Sequence, residues 1–429
     1  MRKLEKIVEY LFYLFLFLLP WQTRLIIKEG ILNNGHWEWG TYSLYAVDIV
    51  FIILLVIFCL SRLIQSKLKI TDKNLKLELL IIGFLLFVFL TVFWAKDSIL
   101  AFYWALRVCQ GVILFFLIKE INFSFIYAGF SLILAGLIQV FFALFQFINQ
   151  KVFASKWLGI AFQDPTQLGV SVVETLEGRF LRVYGSLPHP NILAGFLVFL
   201  IFLSFILYLL VKKPLIKYFL LFSSSLITMI LFLTFSRNAW LSLIITFVLV
   251  AIFILKKNSF NLSISFLKFF SLVLIVFLIS TLLFFNQVAE RFKGKQRLEI
   301  RSINERILNF KIGKEIIKEN FLFGVGIGNY TLALYQKYPH LKSWDYQPIA
   351  NSYFLVLAEL GFVGLIFFLL ILYFSLSNSI NNYWFLITCL LLVGLFDHWL
   401  FSLPFGIILF WSTVGLLWKI NKKFFDIII

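Results

Sequence analysis

The chain has 429 residues, of which 62% are hydrophobic and 14% charged, and Phe alone supplies 55. A soluble domain carries about 25% charged residues, so a water-soluble globule, a disordered chain and a secreted disulfide scaffold are excluded. Continuous rather than alternating apolar stretches argue against a β-barrel. The net charge of +17 then raises the question of where cations sit around a bilayer, not of nucleic-acid binding.

The composition and pattern predict an all-α polytopic membrane protein with about twelve spans. In chain order they fall near 7–26, 43–64, 78–95, 99–118, 124–147, 191–211, 216–235, 238–255, 264–285, 351–374, 383–401 and 404–420. The first follows a basic start, Met1-Arg2-Lys3, like a secretory signal. No small-residue cleavage site comes after it, so it reads as a retained helix. Cys59, Cys109 and Cys389 lie singly inside apolar runs and read as small core residues, with no metal-ligand spacing.

Cations set the expected orientation. With the N-terminus in the cytoplasm, the inner connections hold Arg62, Lys67, Lys69, Lys73 and Lys76, then Lys119, then Lys212, Lys213 and Lys217, then Lys256 and Lys257. Lys419, Lys422 and Lys423 add to the C-terminal tail, while the hinge at Ser375–Asn382 is uncharged. This reading makes a single integral domain of the cytoplasmic (inner) membrane, with both termini inside. Two long connections, 148–190 and 286–350, fall outside. The second has eleven Lys/Arg, among them Lys295, against six Asp/Glu. Ile300, Ile303, Ile307 and Phe310 recur in it at helical spacing, with Ile312, Ile316 and Ile317 beyond. That pattern predicts an amphipathic helix on or near the membrane surface.

Polar residues at span ends gather on the outer side. They are Arg182, His189-Pro190-Asn191, Arg237 in the hairpin between spans seven and eight, Asn351 with Glu359 in span ten, and Asp397-His398 at the end of span eleven. Convergence from five separated stretches predicts one site at the outer boundary. Two arginines there suit phosphate oxygens, bidentate and charged at any working pH. Each has a plainer reading. Arg237 serves equally as an interfacial anchor, Arg182 as a partner for Glu174 or Glu177, His189-Pro190-Asn191 as a helix start, and Asp397-His398 as a pair at a helix end. Arg107 in span four has Asp48 as a candidate partner, or else lines the same cavity. The stretch Phe323-Gly324-Val325-Gly326-Ile327-Gly328-Asn329-Tyr330 reads as a helix cap and tight turn rather than a nucleotide loop.

The chain resembles the O-antigen ligase/polymerase family over residues 180–365. The resemblance rests on Arg182-x-x-Gly185 with His189-Pro190-Asn191-x-Leu193-Ala194, on Thr234-x-Ser236-Arg237-x-Ala239-Trp240, and on Ser302-x-x-x-Arg306. It also rests on Phe323-Gly324-Val325-Gly326-x-Gly328-Asn329-Tyr330 and on Asn351 followed by Glu359-Leu360-Gly361-x-x-Gly364. The resemblance implies a GT-C type architecture with the 286–350 loop as an extracytoplasmic cap. It implies transfer of a glycan from a polyisoprenyl diphosphate to the hydroxyl of a glycan, lipid or protein acceptor. Membrane lipid is the other partner, and no metal, cofactor or nucleic acid is implied. It further implies that Arg182 and Arg237 bind the diphosphate and that Arg306 helps shape the loop or contacts phosphate. His189, Asn191, Tyr330 and Asn351 fall in its motifs and are candidates for binding donor or glycan.

The family usually has a general-base His just before the Asn that opens span ten; here that position is Ala350. Three readings stay open. The chain is an inactive relative that still binds lipid-linked glycan; or His398, His340 or Glu359 takes the proton, with His398 best placed; or leaving-group departure carries the chemistry. A transporter or flippase of lipid-linked glycans is the rival class. It would draw on Asp48, Arg107, Gln139 and Glu359.

Overall fold

The computed structural model describes residues 2–65, 75–176, 178–293, 296–379 and 383–419. Lys67, Lys69, Lys73, Glu177, Lys295, Lys422, Lys423 and the end of the Ser375–Asn382 hinge lie outside the described residues. The first half of the bundle contains α1 (Arg2–Leu18), α2 (Ala46–Gln65), α3 (Leu75–Leu90), α4 (Ser98–Glu120), α5 (Phe125–Asn149), α6 (Pro190–Leu210), α7 (Pro214–Leu233) and α8 (Arg237–Lys257). Then follow α9 (Phe260–Leu283), α10 (Phe285–Lys293), α11 (Arg297–Glu319), α12 (Tyr330–Lys337), α13 (Ser352–Ser379), α14 (Phe385–Gly394), α15 (Trp399–Ser402) and α16 (Pro404–Lys419). Three small antiparallel hairpins accompany them. They are β1 (Arg24–Lys28) with β4 (Tyr42–Tyr45), β2 (Ile31–Leu32) with β3 (Gly35–His36), and β5 (Val172–Thr175) with β6 (Gly178–Leu181).

The chain is therefore an all-α, multi-pass membrane protein. Every predicted span is represented by helix, but among the described residues nine helices are long and apolar enough to cross a membrane. The other three are shorter. α1 stops at Leu18, because Pro20 follows and the chain turns into β1, so the predicted end at 26 is corrected. α16 has 16 residues. The predicted span 383–401 is broken into α14 and α15 around an unwound turn at 395–398.

The centre of the bundle is α6. Fully 94% of its apolar window is buried, against 28% for α2 and for α9. A helix apolar all round belongs inside; one apolar all round yet exposed faces lipid. Phe202 and Phe205 on α6 meet Phe270 of α9 with ring centroids 5.7 and 5.0 Å apart, and Phe385 of α14 at 6.0 and 6.2 Å. The cysteines divide in the same way. Cys389 is core, Cys109 is half-buried, and Cys59 is exposed on α2. The reading of all three as core residues is thus corrected: in a bilayer an apolar run also supplies the lipid-facing side.

The glycine-rich stretch is a turn built onto a broken helix. Gly361 (φ 67°) interrupts α13. The carbonyls freed there accept from the loop: Val325 N–H donates to Ala358 O at 3.0 Å, and Gly326 N–H to Glu359 O at 2.9 Å. In return Phe362 N–H donates to Phe321 O at 2.8 Å. Gly324 (φ 70°) and Gly361 sit where any Cβ would collide with the facing backbone. The Glu359 carboxylate accepts from Gly328 N–H at 2.8 Å.

The predicted amphipathic helix is α11, and its apolar stripe is split. Ile312, Ile316 and Ile317 are buried, and Phe310 packs edge-on against Phe354 of α13 at 4.6 Å. Ile300, Ile303 and Ile307 remain 40–50% exposed.

Within the bundle, Arg107 of α4 donates to Asp48 of α2 at 2.7 Å, and Gln110 donates to the other Asp48 oxygen at 2.9 Å. Both charged side chains are less than a tenth exposed. Removing one partner of such a pair costs about 3–5 kcal/mol, because the other charge is stranded. Thermal unfolding in detergent should therefore fall for Asp48→Ala and recover in Asp48→Ala/Arg107→Leu. Equal melting of the single and double variants would contradict the assignment.

Candidate functional site

The β5–β6 hairpin delivers Arg182 to the far end of α7. Its Nε donates to Thr234 O at 2.7 Å and its Nη2 to Asn191 Oδ1 at 2.6 Å. The alternative pairing with Glu174 is not made. Glu174 lies instead against Arg179 at 3.7 Å and Arg297 at 3.3 Å; Glu177 lies outside the described residues. Thr234 and Phe235 form the turn after α7, with Phe235 at φ 47°. Their carbonyls are the orphans that a helix leaves at its C-terminus, where cations are favoured. Arg291 of α10 takes the second one, donating from Nε and Nη2 to Phe235 O at 3.2 and 3.0 Å.

Arg237 opens α8, where the helix dipole disfavours a cation. A carboxylate compensates. Arg237 Nη2 lies 2.9 Å from Glu299 Oε2, and Arg237 Nη1 donates to Arg291 O at 2.6 Å. Arg291 also pairs with Glu299, which is buried. Arg306 stands two turns beyond Glu299 on α11, on the same face at a spacing of seven. It is exposed, makes no hydrogen bond or ion pair among the described residues, and acts electrostatically on Arg182, His189 and Arg291. Four guanidiniums thus gather from four separate stretches, and the carboxylates among them are Glu299 and Asp397. The excess is positive. Burial, with Arg291 and Arg306 nearby, pushes the Arg182 guanidinium down to about 9, still cationic at neutral pH. An arriving anion would relieve that penalty.

Asn191 joins the cluster to the broken helix. Its Oδ1 accepts from Arg182 and from Ser236 Oγ at 3.1 Å, and its Nδ2 donates to Asp397 Oδ2 at 3.3 Å. The unwound carbonyls at 395–397 are each satisfied by a side chain: Asn351 donates to Leu395 O at 2.8 Å, Asn238 to Phe396 O at 3.2 Å and Ser352 to Asp397 O at 2.8 Å. Backbone groups freed inside a packed bundle require such partners. His398 follows. The Ser402 hydroxyl donates to His398 O at 3.0 Å and so receives the Nδ1–H at 2.7 Å, which leaves Nε2 with the lone pair. The Trp39 and His398 rings pack T-shaped with centroids 5.2 Å apart, and Trp39 Nε1 donates to Gln347 Oε1 at 3.3 Å.

The remaining predicted residues are placed as follows. His189 caps α6: its Nδ1 accepts from Asn191 N–H at 3.1 Å and its Nε2 pairs with Ser171 Oγ at 3.0 Å. Asn351 caps α13, accepting from Tyr353 and Phe354 N–H at 2.9 and 3.0 Å. Ala350 is half-buried just before that cap. Tyr330 is 1% exposed, opening α12, and its hydroxyl has no hydrogen-bond partner among the described residues. His340 is exposed beside Tyr338. Among the described residues no group of three or more His, Cys, Asp or Glu is placed to hold a metal ion. Sequence reasoning missed the structural roles of Arg291, Glu299, Ser236 and Asn238, and missed Trp39 altogether. The seven-residue spacing from Glu299 to Arg306 was a readable signal; Trp39 offered none.

Residues 222–369 match the family model for O-antigen ligase. That segment contains Arg237, Arg291, Glu299, Arg306, Ala350 and Asn351, while Arg182, Asn191 and His398 lie outside it. The match supports an O-antigen ligase/polymerase-like function for this membrane protein, as the sequence resemblance implies. No curated protein matches the chain.

Burial, then the Arg182 charge, pushes His189 down to about 3. An unfolded chain protonates His near 6.5, so between these values the unfolded state binds more protons and stability falls as pH falls. At pH 5 the loss is about 2 kcal/mol. The drop in melting temperature from pH 7.5 to pH 5 should therefore shrink in His189→Gln; an unchanged drop would show that His189 is not the titrating group.

Proposed function

We propose that this protein transfers a glycan from a polyisoprenyl diphosphate to an acceptor hydroxyl at the outer face of the cytoplasmic membrane, both termini lying inside, in a GT-C-like bundle. The observation that carries the reading is the guanidinium cluster, with more positive charge than its carboxylates cancel. In the proposed step the acceptor oxygen bonds to the anomeric carbon and the bond to the diphosphate oxygen breaks. The electron pair stays on the lipid diphosphate, and the acceptor proton goes to a base. Arg182, Arg237 and Arg306 meet the growing charge of the leaving group, a task done well by preorganised cations.

Ala350 cannot take the proton. His398 is the substitute, because its Nε2 carries a lone pair with no partner among the described residues. Glu359 is held by the Gly328 amide, and His340 stands apart on the surface. The transporter reading loses its candidates to structural roles. Asp48 and Arg107 pair with each other, Gln139 accepts from Ser186 N–H at 2.7 Å, and Glu359 supports the glycine loop.

Glycan transfer by the purified protein should fall about 10²–10⁴-fold in His398→Gln, the usual worth of a general base. Adding Ala350→His to that variant should restore it, with the base moved to the family's position. Arg237→Ala should lose lipid-linked glycan binding. Full transfer in His398→Gln, or undiminished binding in Arg237→Ala, would contradict the assignment.

A further inference from the structure

Helix α5 ends in a row of glutamines that the proposed step does not use. Gln139 and Gln146 lie two turns apart on one face of α5, and Gln150 follows one turn on, at its C-terminal cap. Gln139 is 3% exposed and Gln146 is fully buried. A buried amide is costly unless its polar groups are paired, and these three pair with one short segment, residues 181–186. Leu181 N–H donates to Gln150 Oε1 at 2.8 Å. Tyr184 and Gly185 N–H both donate to Gln146 Oε1, at 2.9 and 3.0 Å, and Gln146 Nε2 donates back to Gly185 O at 2.6 Å. Ser186 N–H donates to Gln139 Oε1 at 2.7 Å.

The segment needs such partners. β6 ends at Leu181 and α6 begins at Pro190, so no sheet or helix ladder serves residues 184–186. Gly185 has φ 62°, and a Cβ there would stand 2.5 Å from Gln139 Oε1, so the backbone lies directly against the amide. From the other side, Arg182 N–H donates to Ser171 O at 3.1 Å. Arg182 is the side chain that this clamp delivers. Its Nε is taken by Thr234 O and its Nη2 by Asn191 Oδ1, which leaves Nη1 with no hydrogen bond among the described residues.

We propose that Gln139, Gln146 and Gln150 are positioning residues for the donor site. They fix the backbone on both sides of Arg182, so that Nη1 is held ready for a diphosphate oxygen. The inference rests on the transferase reading above and deepens it. Gln139, a residue that a transporter would use for passage through the membrane, serves the anion site instead. Precision matters here, because a displacement of about 1 Å in such a group costs about 10²-fold.

The test is calorimetric titration of the full-length protein in detergent with a polyisoprenyl diphosphate and with its monophosphate, reading the ratio of the two affinities. Gln146→Leu keeps every arginine, yet should lose at least about tenfold of the diphosphate preference while monophosphate affinity holds. Gln150→Ala is a milder change at the half-buried end of the row, and it keeps the test open if Gln146→Leu does not fold. It should shift the ratio the same way by at least about threefold. Gln146→Leu/Arg182→Gln should prefer diphosphate no less than Arg182→Gln alone, because the glutamine acts through the arginine. Asp48→Ala, which strands a buried charge elsewhere in the bundle, should melt lower and keep the wild-type ratio. A wild-type ratio in both glutamine variants, losses that simply add in the double variant, or an equal loss in Asp48→Ala would overturn this proposal and leave the donor site standing. A wild-type protein without preference for diphosphate would instead overturn the transferase reading on which it rests.

Discussion

Positive charge held at the ends of apolar helices with too few carboxylates to cancel it is the constraint from which the rest of this structure follows. Guanidiniums cannot shed their charge cheaply, and burial raises the cost of keeping it. The fold meets that cost with backbone. The carbonyls at the end of α7 receive Arg182 and Arg291, and Glu299 serves Arg237 and Arg291 together. These contacts hold the side chains without exhausting their charge. Arg306, exposed on α11 and without an ion pair among the described residues, adds to the excess. In the proposed function, such a site is organised for an anion before one arrives.

The break between α14 and α15 is the second element that matters. A continuous helix there would bury Asp397 and His398 along its length. Unwinding presents both at one turn, and Asn238, Asn351 and Ser352 satisfy the carbonyls set free. Those donors come from α8 and from the start of α13, so the turn ties together the elements that carry the arginines and the Ala350 position. In the proposed function this is where the attacking and leaving oxygens meet.

Much of this was legible in the sequence, for identifiable reasons. Long apolar runs can satisfy their backbone in lipid only as helices, so the bundle followed directly. Convergence of Arg182 and Arg237 was expected from their positions at span ends, and in the structure Arg182 and the Ser236 hydroxyl, one residue before Arg237, both donate to Asn191 Oδ1. Other features were hidden. Hydropathy sees the 383–401 stretch as one apolar run, because the residues that break it are only Asp397 and His398. Whether Cys59 faces lipid or core depends on which neighbours pack, which no single helix pattern states. Glu299 looked like one charge among many in a basic segment. Its importance comes from Arg237 and Arg291, which are distant in sequence. Trp39 belongs to a loop with no periodicity to read.

The most direct measurement is calorimetric titration of the purified protein with a polyisoprenyl diphosphate and with the matching monophosphate, repeated in Arg182→Gln. If the guanidinium cluster is a diphosphate site, the diphosphate binds at least about tenfold more tightly and Arg182→Gln removes most of that preference; an interaction worth 1.4 kcal/mol sets this factor. Equal affinity for the two lipids, or a preference that survives Arg182→Gln intact, would contradict the central claim.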